Sequence, residues 1–255
     1  MQDKKMPKVQ VHNLTKKFGD LLVLNDISFD VRSGEFLCIV GPTGCGKTTF
    51  LNSLTKLYEP TAGEILLDGE PVNLKKHNIA YIFQEYSTMP WLTVEENVGF
   101  GLDIKGVEKE KAKALVDEYL DIVGLTKYRK YYPDQLSASM LQRVVIARAF
   151  ATQPDLLLMD EPYGQLDIQL RYHLEDELIS LWQRTGTTVI FITHNIEEAV
   201  YMGERILVLT NKPTSIKCAI DNNLPRPRDI ASPDFVKLRN AVSYTHLRAH
   251  ETTLH

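Results

Sequence analysis

A glycine-rich run is the first group of residues whose types and spacing could do chemistry. Residues 41–48 read GPTGCGKT and fit the pattern G-x-x-x-x-G-K-[ST], between an apolar run that predicts a buried strand (Phe36–Val40) and a predicted helix over residues 47–57. Such glycines let backbone N–H groups close around phosphate oxygens, and a helix N-terminus favours an anion. The lysine would neutralise the β- and γ-phosphates of a nucleotide, and the threonine hydroxyl would bind Mg²⁺. The candidate nucleotide-binding residues here are Gly41, Pro42, Thr43, Gly44, Cys45, Gly46, Lys47, Thr48 and Thr49.

Two other interpretations of this run stay open. It can be a glycine-rich turn that carries a surface lysine, although the strand before it and the helix after it favour the phosphate loop. Cys45 is most simply a small residue at a free position, and a redox role is the alternative.

Two adjacent carboxylates follow another apolar run. The strand predicted over residues 156–159 ends at Asp160 and Glu161. Buried charges need partners, so two acids at a strand end are poor candidates for core residues. Beside a phosphate loop, the first acid holds Mg²⁺, usually through water, and a second can polarise the attacking water as a general base. The sequence predicts these roles for Asp160 and Glu161, with a solvated strand end as the alternative.

A histidine repeats this arrangement. The strand predicted over residues 188–192 is followed by Thr193 and His194. Ligands of open α/β sheets bind beyond the carboxyl ends of the strands, which places His194 where it could contact a γ-phosphate and the attacking water. A purely structural histidine is the alternative.

The remaining pattern indicates the elements that position these residues. Strands are predicted over residues 9–18 and 21–31, around a turn at Gly19 and Asp20, and over residues 63–67 and 79–83. Helices are predicted over residues 107–123 and 168–184. Alternating strands and helices indicate an α/β fold with a mostly parallel sheet, preceded by an antiparallel β portion. Helical signals dominate between about residues 86 and 152, which predicts a helical lobe inserted into that core.

Composition limits the classes of function. The 255 residues are 44% hydrophobic and carry a formal net charge of -4, which argues against a dedicated nucleic-acid-binding protein. Three cysteines without zinc-site spacing suit a reducing cytoplasm. No apolar run is long enough for a signal peptide or a membrane span, so any membrane association is expected to run through a partner protein.

The end of the chain differs from the rest. Residues 243–255 carry three of the seven histidines, and the string SYTHLRAHET resembles translated adapter sequence. We therefore expect residues 1–240 to form the domain, residues 241–255 to be a foreign tail, and the natural C-terminus to be missing. A metal site at His246 and His250, which are four residues apart, is the alternative.

Further segments, in order and spacing, resemble the ABC ATPase family over roughly residues 8 to 220. The resemblance implies a P-loop NTPase core in which Phe18 stacks on adenine and Gln84 contacts Mg²⁺ and water and senses a membrane partner. Residues 136–140, LSASM, lie at the signature motif. Residues 164–167, GQLD, look like the D-loop that ends at Asp167, and His194 looks like the switch histidine.

The family also implies a homodimer. Two copies bind head to tail, and each ATP lies between one phosphate loop and the signature of the other copy, here through Ser137 and Ser139. The family reads LSGGx at the signature, whereas this chain has Ala138 and Ser139 in place of both glycines. Side chains there could hold the phosphate away, although Ser139 could instead donate a hydrogen bond, so we predict a slower ATPase than a two-glycine version. Asn195, where relatives often carry Asp, is a smaller departure.

Finer features resemble one branch of the family, the importers of nitrate, taurine and alkanesulfonates. They are residues 90–98 (PWLTVEENV), 159–164 (MDEPYG), 196–200 (IEEAV) and 224–228 (LPRPR). For Trp91, which lies in the first of these segments, a plain packing role is the alternative interpretation. The resemblance implies a peripheral subunit on the cytoplasmic face of the membrane, bound to integral-membrane permease subunits and served indirectly by an external solute-binding protein, with no nucleic-acid partner. The alternatives are a pyrimidine vitamin-precursor importer, a soluble ABC ATPase and a P-loop kinase for a small molecule.

Overall fold

The structure, a computed structural model, describes residues 6–164 and 166–251, and the side chains of the last helix as far as residue 246. The chain divides into two units. The first comprises Met1–His77 and Thr188–His255, and the second comprises Asn78–Thr187.

The first unit begins with an antiparallel hairpin of β1 (Val9–Phe18) and β2 (Leu21–Val31). Alternate apolar residues of β1, among them Val9 and Val11, are buried, as expected for a strand with one face on a core. The turn passes through Gly19, whose φ of 57° lies in the left-handed region that favours glycine. Both predicted strands and their turn are confirmed.

A buried strand and a short helix follow. β3 (Phe36–Val40) is buried along its whole length, and α1 (Lys47–Leu54) starts directly after Gly46. The helix stops three residues before the predicted end, because Lys56 adopts a left-handed φ of 59° that no helix can continue. β4 (Ala62–Leu67) and β5 (Glu70–Pro71) complete a four-stranded antiparallel sheet in the order β2-β1-β4-β5.

The second unit combines a pair of parallel strands with helices. Its elements are β6 (Ile79–Ile82), α2 (Val94–Ile104), α3 (Lys109–Ile122), α4 (Ala138–Ala151), β7 (Leu156–Asp160) and α5 (Ile168–Thr185). β6 and β7 pair in parallel register. Thr93 and Glu96 form a capping box at the start of α2, which satisfies two backbone donors. The segment expected to form the lobe contains α2, α3 and α4, and its exact bounds stay a prediction.

The chain then returns to the first unit. Its elements are β8 (Thr188–Thr193), α6 (Ile196–Met202), β9 (Arg205–Leu209), β10 (Ile216–Asp221) and α7 (Pro233–Glu251). β3 lies between β8 and β9 and is parallel to both, and β10 is antiparallel to β9. The fold class predicted from sequence, α/β with an N-terminal antiparallel portion, is confirmed.

The last elements of this unit hold α6 at its end. The Arg228 guanidinium donates hydrogen bonds to the carbonyls of Val200, Tyr201 and Gly203 at 2.9, 2.8 and 2.7 Å. The Asn222 amide donates to two of the same carbonyls. A helix leaves its last carbonyls without intrahelical partners, and these side chains supply them. Burial lowers the pKa of Arg228 to about 10, so the guanidinium stays charged at neutral pH.

The boundary expected near residue 241 falls inside α7. The helix is continuous from Pro233 to Glu251, and Val242 is fully buried. The foreign tail therefore stays a prediction that no break in secondary structure marks, and residues 252–255 and the His250 side chain lie outside the described part of the chain. Among the described residues, no helix is both long and apolar enough to cross a membrane.

Candidate functional site

The phosphate loop is curled around its own lysine. Lys47 is 4% exposed, and its ammonium donates hydrogen bonds to the carbonyls of Gly41 at 2.9 Å and Pro42 at 3.2 Å. Gly46 has φ 118°, a conformation that L side chains rarely adopt, and a Cβ there would lie 2.9 Å from Val23 Cγ1. The loop therefore needs glycine at Gly46, and it places a positive charge inside the ring of residues predicted to bind phosphate.

Cys45 lies within this loop and is buried, at 2% exposed. Burial is the main cause that raises the pKa of its thiol. A cysteine reacts as the thiolate, so this environment favours the interpretation of Cys45 as a small packed residue over a redox role.

His194 emerges at the same sheet edge as the phosphate loop. In the parallel pair of β3 and β8, Val40 is opposite Thr193, so Gly41 and His194 are the next residues of the two strands. Thr193 is buried, whereas His194 is exposed. The first unit thus brings together two features that the sequence placed at strand ends.

Asn195 explains one departure from the family pattern. Its side-chain oxygen caps α6 by accepting hydrogen bonds from the backbone N–H groups of Glu197 at 3.0 Å and Glu198 at 3.4 Å. Asn and Asp are about equally good at this capping position, so the amide serves the helix as a carboxylate would.

The second unit repeats the strand-end geometry. Ile82 is opposite Met159 in the parallel pair of β6 and β7, so the segments that carry Gln84 and Glu161 leave neighbouring strands at one edge. A Cβ built on Gly164 would lie 3.4 Å from the Glu161 carbonyl oxygen and 3.9 Å from Gln84 Nε2, which shows how closely these residues are grouped.

Asp160 is a buried carboxylate, only 7% exposed. The Tyr81 hydroxyl donates a hydrogen bond to its Oδ2 at 3.3 Å. Burial first, and then the neighbouring Asp160 charge, raise the pKa of Tyr81, so the phenol stays protonated and remains a donor. Tyr81 is not among the site residues predicted from sequence, because an aromatic residue in a strand normally indicates packing.

Glu161 has an unusual backbone. Its φ is 47°, in the left-handed region that costs a non-glycine residue free energy. Such conformations cluster at functional positions, where the surrounding structure imposes them. The observation supports Glu161 as a functional carboxylate and gives it a fixed direction at the end of β7.

The signature residues form the start of a 14-residue helix, α4. The Ser137 hydroxyl caps it by accepting a hydrogen bond from Met140 N at 3.4 Å, and it lies 3.0 Å from the Ser139 hydroxyl. Ala138 and Ser139 are the first two residues of the helix, and neither has a positive φ. The backbone therefore does not require glycine at these positions, and the effect of their side chains must come from the space and donors they present.

We predict that Ser139→Gly will raise the rate of ATP hydrolysis, because removing the hydroxymethyl group lets a phosphate approach the N-terminal amides of α4 more closely. Steady-state hydrolysis at saturating Mg²⁺-ATP measures the effect. Thr126→Gly, a change at an exposed position of the same unit, is the control. An unchanged rate in Ser139→Gly contradicts the prediction.

Phe18 lies at the end of β1, and the residue is 43% exposed. Tyr58 contacts it edge-to-face at a centroid distance of 5.3 Å, and the Lys16 ammonium lies 4.9 Å from the centroid of the Phe18 ring. These neighbours orient the ring, and its exposed area is the kind of surface on which a base can stack.

Asp167, the last residue of the predicted D-loop, caps helix α5. Its carboxylate accepts a hydrogen bond from Leu170 N at 3.0 Å at the start of α5, and the residue is exposed. Gln165, within the same GQLD segment, lies outside the described residues. Trp91 is 73% exposed, so the alternative that it is a packing residue is wrong.

Comparison with known proteins gives the family. The pattern that defines the ABC transporter family matches residues 24–164. A protein of Brucella abortus (strain 2308) described as an ATP-binding protein is 43% identical over 239 residues, which are 92% of each chain. The aliphatic sulfonates import ATP-binding protein SsuB of Bacillus thuringiensis subsp. konkukian is 42% identical, over 89% of this chain and 90% of that protein.

A solved structure agrees at the level of the fold. The cbiO1 protein of Clostridium perfringens, described as part of the ABC transporter complex cbiONQ, superposes with a TM-score of 0.78 over 97% of this chain and 99% of that one, at 22% sequence identity. With the family pattern covering more than half of the sequence and relatives above 40% identity covering nearly all of it, this chain belongs to the ABC transporter family as one of its ATP-binding chains, which are ATPases.

Proposed function

We propose that the chain is the ATP-hydrolysing subunit of an importer, and that it works as a homodimer with Mg²⁺-ATP. The observation that carries the proposal is the phosphate loop wrapped around Lys47, with His194 at the same edge of the sheet. The two residues are suited to the β- and γ-phosphates, and Phe18 offers a stacking surface for the base.

The proposed chemistry assigns one task to each strand-end residue. Glu161 polarises the attacking water, His194 stabilises the γ-phosphate, and Gln84 contacts the water and the metal. Thr48, Gln84 and Asp160 offer the hard oxygen donors that suit Mg²⁺, and a buried carboxylate such as Asp160 gains from a cation. When bound, Mg²⁺ would neutralise charge on the phosphates.

The proposed dimer supplies the remaining contacts. The partner copy would present Ser137 and Ser139, at the exposed N-terminus of its α4, to the γ-phosphate, with Asp167 near the junction. The α4 first turn contains no acidic residue, which suits an approaching anion. ATP would then hold two copies together, and hydrolysis would release them, which makes a nucleotide-controlled switch.

If two copies are needed for each reaction, the rate of hydrolysis will rise faster than linearly with protein concentration until the dimer is saturated. Steady-state Mg²⁺-ATP hydrolysis over a dilution series tests this, with analytical ultracentrifugation of the Glu161→Gln variant in ATP as an independent measure of dimerisation. A strictly linear dependence, with a monomer in ATP, contradicts the homodimer.

The proposed partner in the membrane is a permease subunit, so the chain would lie peripherally on the cytoplasmic face. The second unit carries exposed apolar side chains that suit such a partner, namely Phe83 at 48%, Trp91 at 73% and Ile104 at 72% exposed. An external solute-binding protein would act only through the permease.

Trp91→Ala is expected to weaken co-purification with the permease about tenfold, because exposed aromatic residues often dominate interface energies. The hydrolysis rate of the isolated chain should stay as in the natural protein. Leu74→Ala, at an exposed apolar residue of the first unit, is the matched control. Equal recovery of the permease with both variants contradicts this assignment of Trp91.

The proposed solute is a small anion such as an alkanesulfonate, taurine or nitrate, and the support is the likeness to SsuB. The choice is tested by growth on an alkanesulfonate as the only sulfur source, with and without this chain, in a host that carries the permease subunits.

A pyrimidine vitamin-precursor importer is the competing transport role. Co-purification with nucleic acid or ribosomes would indicate a soluble ABC ATPase, and phosphate transfer to an acceptor other than water would indicate a kinase.

A further inference from the structure

Thr214 connects the phosphate loop to β2, although it lies outside every motif of the sequence. It is fully buried in the segment between β9 and β10. Its backbone N–H donates to the Val23 carbonyl and its carbonyl accepts from Asn25 N, both at 2.8 Å. Because β2 holds the backbone of Thr214 on both sides, the direction of its side chain is fixed. That side chain donates a hydrogen bond to the carbonyl of Cys45 within the phosphate loop.

The hydrogen bond to Thr214 fixes the orientation of the peptide between Cys45 and Gly46. The carbonyl of Cys45 and the N–H of Gly46 belong to the same planar trans peptide, so they point in opposite directions. With the carbonyl held on Thr214, the Gly46 N–H is directed away from Thr214. The unusual φ of 118° at Gly46 and its close approach to Val23 and Leu24 belong to the same arrangement.

Three other carbonyls of the loop also accept hydrogen bonds. Those of Gly41 and Pro42 accept from Lys47, and that of Gly46 accepts from Phe50 N at 2.9 Å as the first turn of α1. A carbonyl that turned toward a bound phosphate would repel it, whereas an N–H in the same place would bind it. The Cys45 carbonyl depends on a side chain from a distant part of the sequence, and this makes Thr214 the element that a substitution can remove.

We infer that Thr214 is a positioning residue for phosphate binding, which keeps the Cys45–Gly46 peptide with its N–H available to the nucleotide phosphates. The inference rests on the proposed function, because it takes residues 41–48 as the phosphate site. Without the hydroxyl, the peptide can rotate, and its carbonyl competes with the anion.

The experiment compares Thr214→Ser with Thr214→Ala. Both variants lose the methyl group, and only the first keeps the hydroxyl, so the packing defect left by the methyl group is shared. Thr214→Val keeps the shape without the donor, and Thr188→Val removes another buried hydroxyl of the same unit, one that accepts a hydrogen bond from Gly34 N at 3.0 Å. Dissociation constants for Mg²⁺-ATP and for inorganic tripolyphosphate are measured by calorimetry, and melting temperatures are recorded for every variant.

We expect Thr214→Ala and Thr214→Val to bind both ligands about tenfold more weakly, the change that follows from losing one well-formed hydrogen bond and exposing a misplaced carbonyl. Thr214→Ser and Thr188→Val should stay within about twofold of the natural chain. Tripolyphosphate should show the same loss as ATP, because the effect acts on phosphates and not on the base.

Equal affinities of the Ser and Ala variants overturn the inference, as does a loss for ATP without a loss for tripolyphosphate, or an equal loss in Thr188→Val. If Thr214→Val does not fold, the Ser and Ala pair still decides. A natural chain that binds neither ligand contradicts the proposed phosphate site itself, whereas normal binding by the natural chain with equal Ser and Ala variants contradicts only the role of Thr214.

Discussion

Replacing Glu161 with glutamine is expected to reduce ATP hydrolysis by about 10²- to 10⁴-fold, the usual contribution of a general base. The carboxylate follows Asp160 at the end of β7 and has a backbone φ of 47°. Glutamine keeps the size and the hydrogen-bonding reach of the side chain and loses only the ability to take a proton. ATP binding should therefore persist while turnover stops.

Two measurements check this result together. Single-turnover hydrolysis gives the chemical step, and calorimetry of the same variant with Mg²⁺-ATP gives the affinity. Glu70→Gln is the matched control, because Glu70 is exposed and forms an ion pair with the exposed Lys76, so its loss should change neither quantity. Hydrolysis by Glu161→Gln at the natural rate would remove Glu161 from the role of base, and a loss of ATP affinity would indicate a structural role.

The second large effect is expected at Lys47. Replacing it with methionine keeps much of the buried aliphatic stem and removes the ammonium, which donates hydrogen bonds to the carbonyls of Gly41 and Pro42. Hydrogen bonds to charged groups contribute about 1.5–3 kcal/mol each, so affinity for Mg²⁺-ATP should fall by about 10- to 100-fold or more. Hydrolysis would fall with it.

Tripolyphosphate separates this loss from a loss of base recognition, because it has phosphates and no base. Its affinity should fall with that of ATP in Lys47→Met and stay unchanged in Phe18→Leu, which removes only the stacking ring. Lys75→Met is the control, since Lys75 is exposed on the first unit. Natural affinity of Lys47→Met for tripolyphosphate would show that the ammonium is not a phosphate ligand.

Local patterns predicted the elements that carry chemistry better than those that support them. β3, β8 and their polar ends are continuous apolar runs followed by Gly41 and His194, and such runs are typical of buried parallel strands. A parallel α/β fold makes it expected that such strands lie side by side. The structure shows that β3 and β8 are neighbours, with Val40 opposite Thr193. β9 and β10 were not predicted, because pairing between distant segments decides them.

The site contains features that no sequence pattern announces. The hydroxyl of Tyr81 reaches Asp160 from a neighbouring strand, and Thr214 reaches the phosphate loop from 169 positions further along the chain. The left-handed backbone of Glu161 belongs to a residue type that rarely adopts it. Each is set by tertiary contacts. For Trp91 the sequence left packing open as an alternative, and the exposed side chain decides against it.

The cap on α6 has a consequence for inherited variation. The last of the residues assigned to nucleotide binding is His194, so a stop codon after β10 would leave all of these motifs intact. Such a transcript would nonetheless lose Arg228 and Asn222, which hold the end of α6, the helix that starts two residues after His194. A genome survey that scores only the motifs would count this truncated allele as functional, whereas the fold places the essential part of the gene at least as far as codon 228.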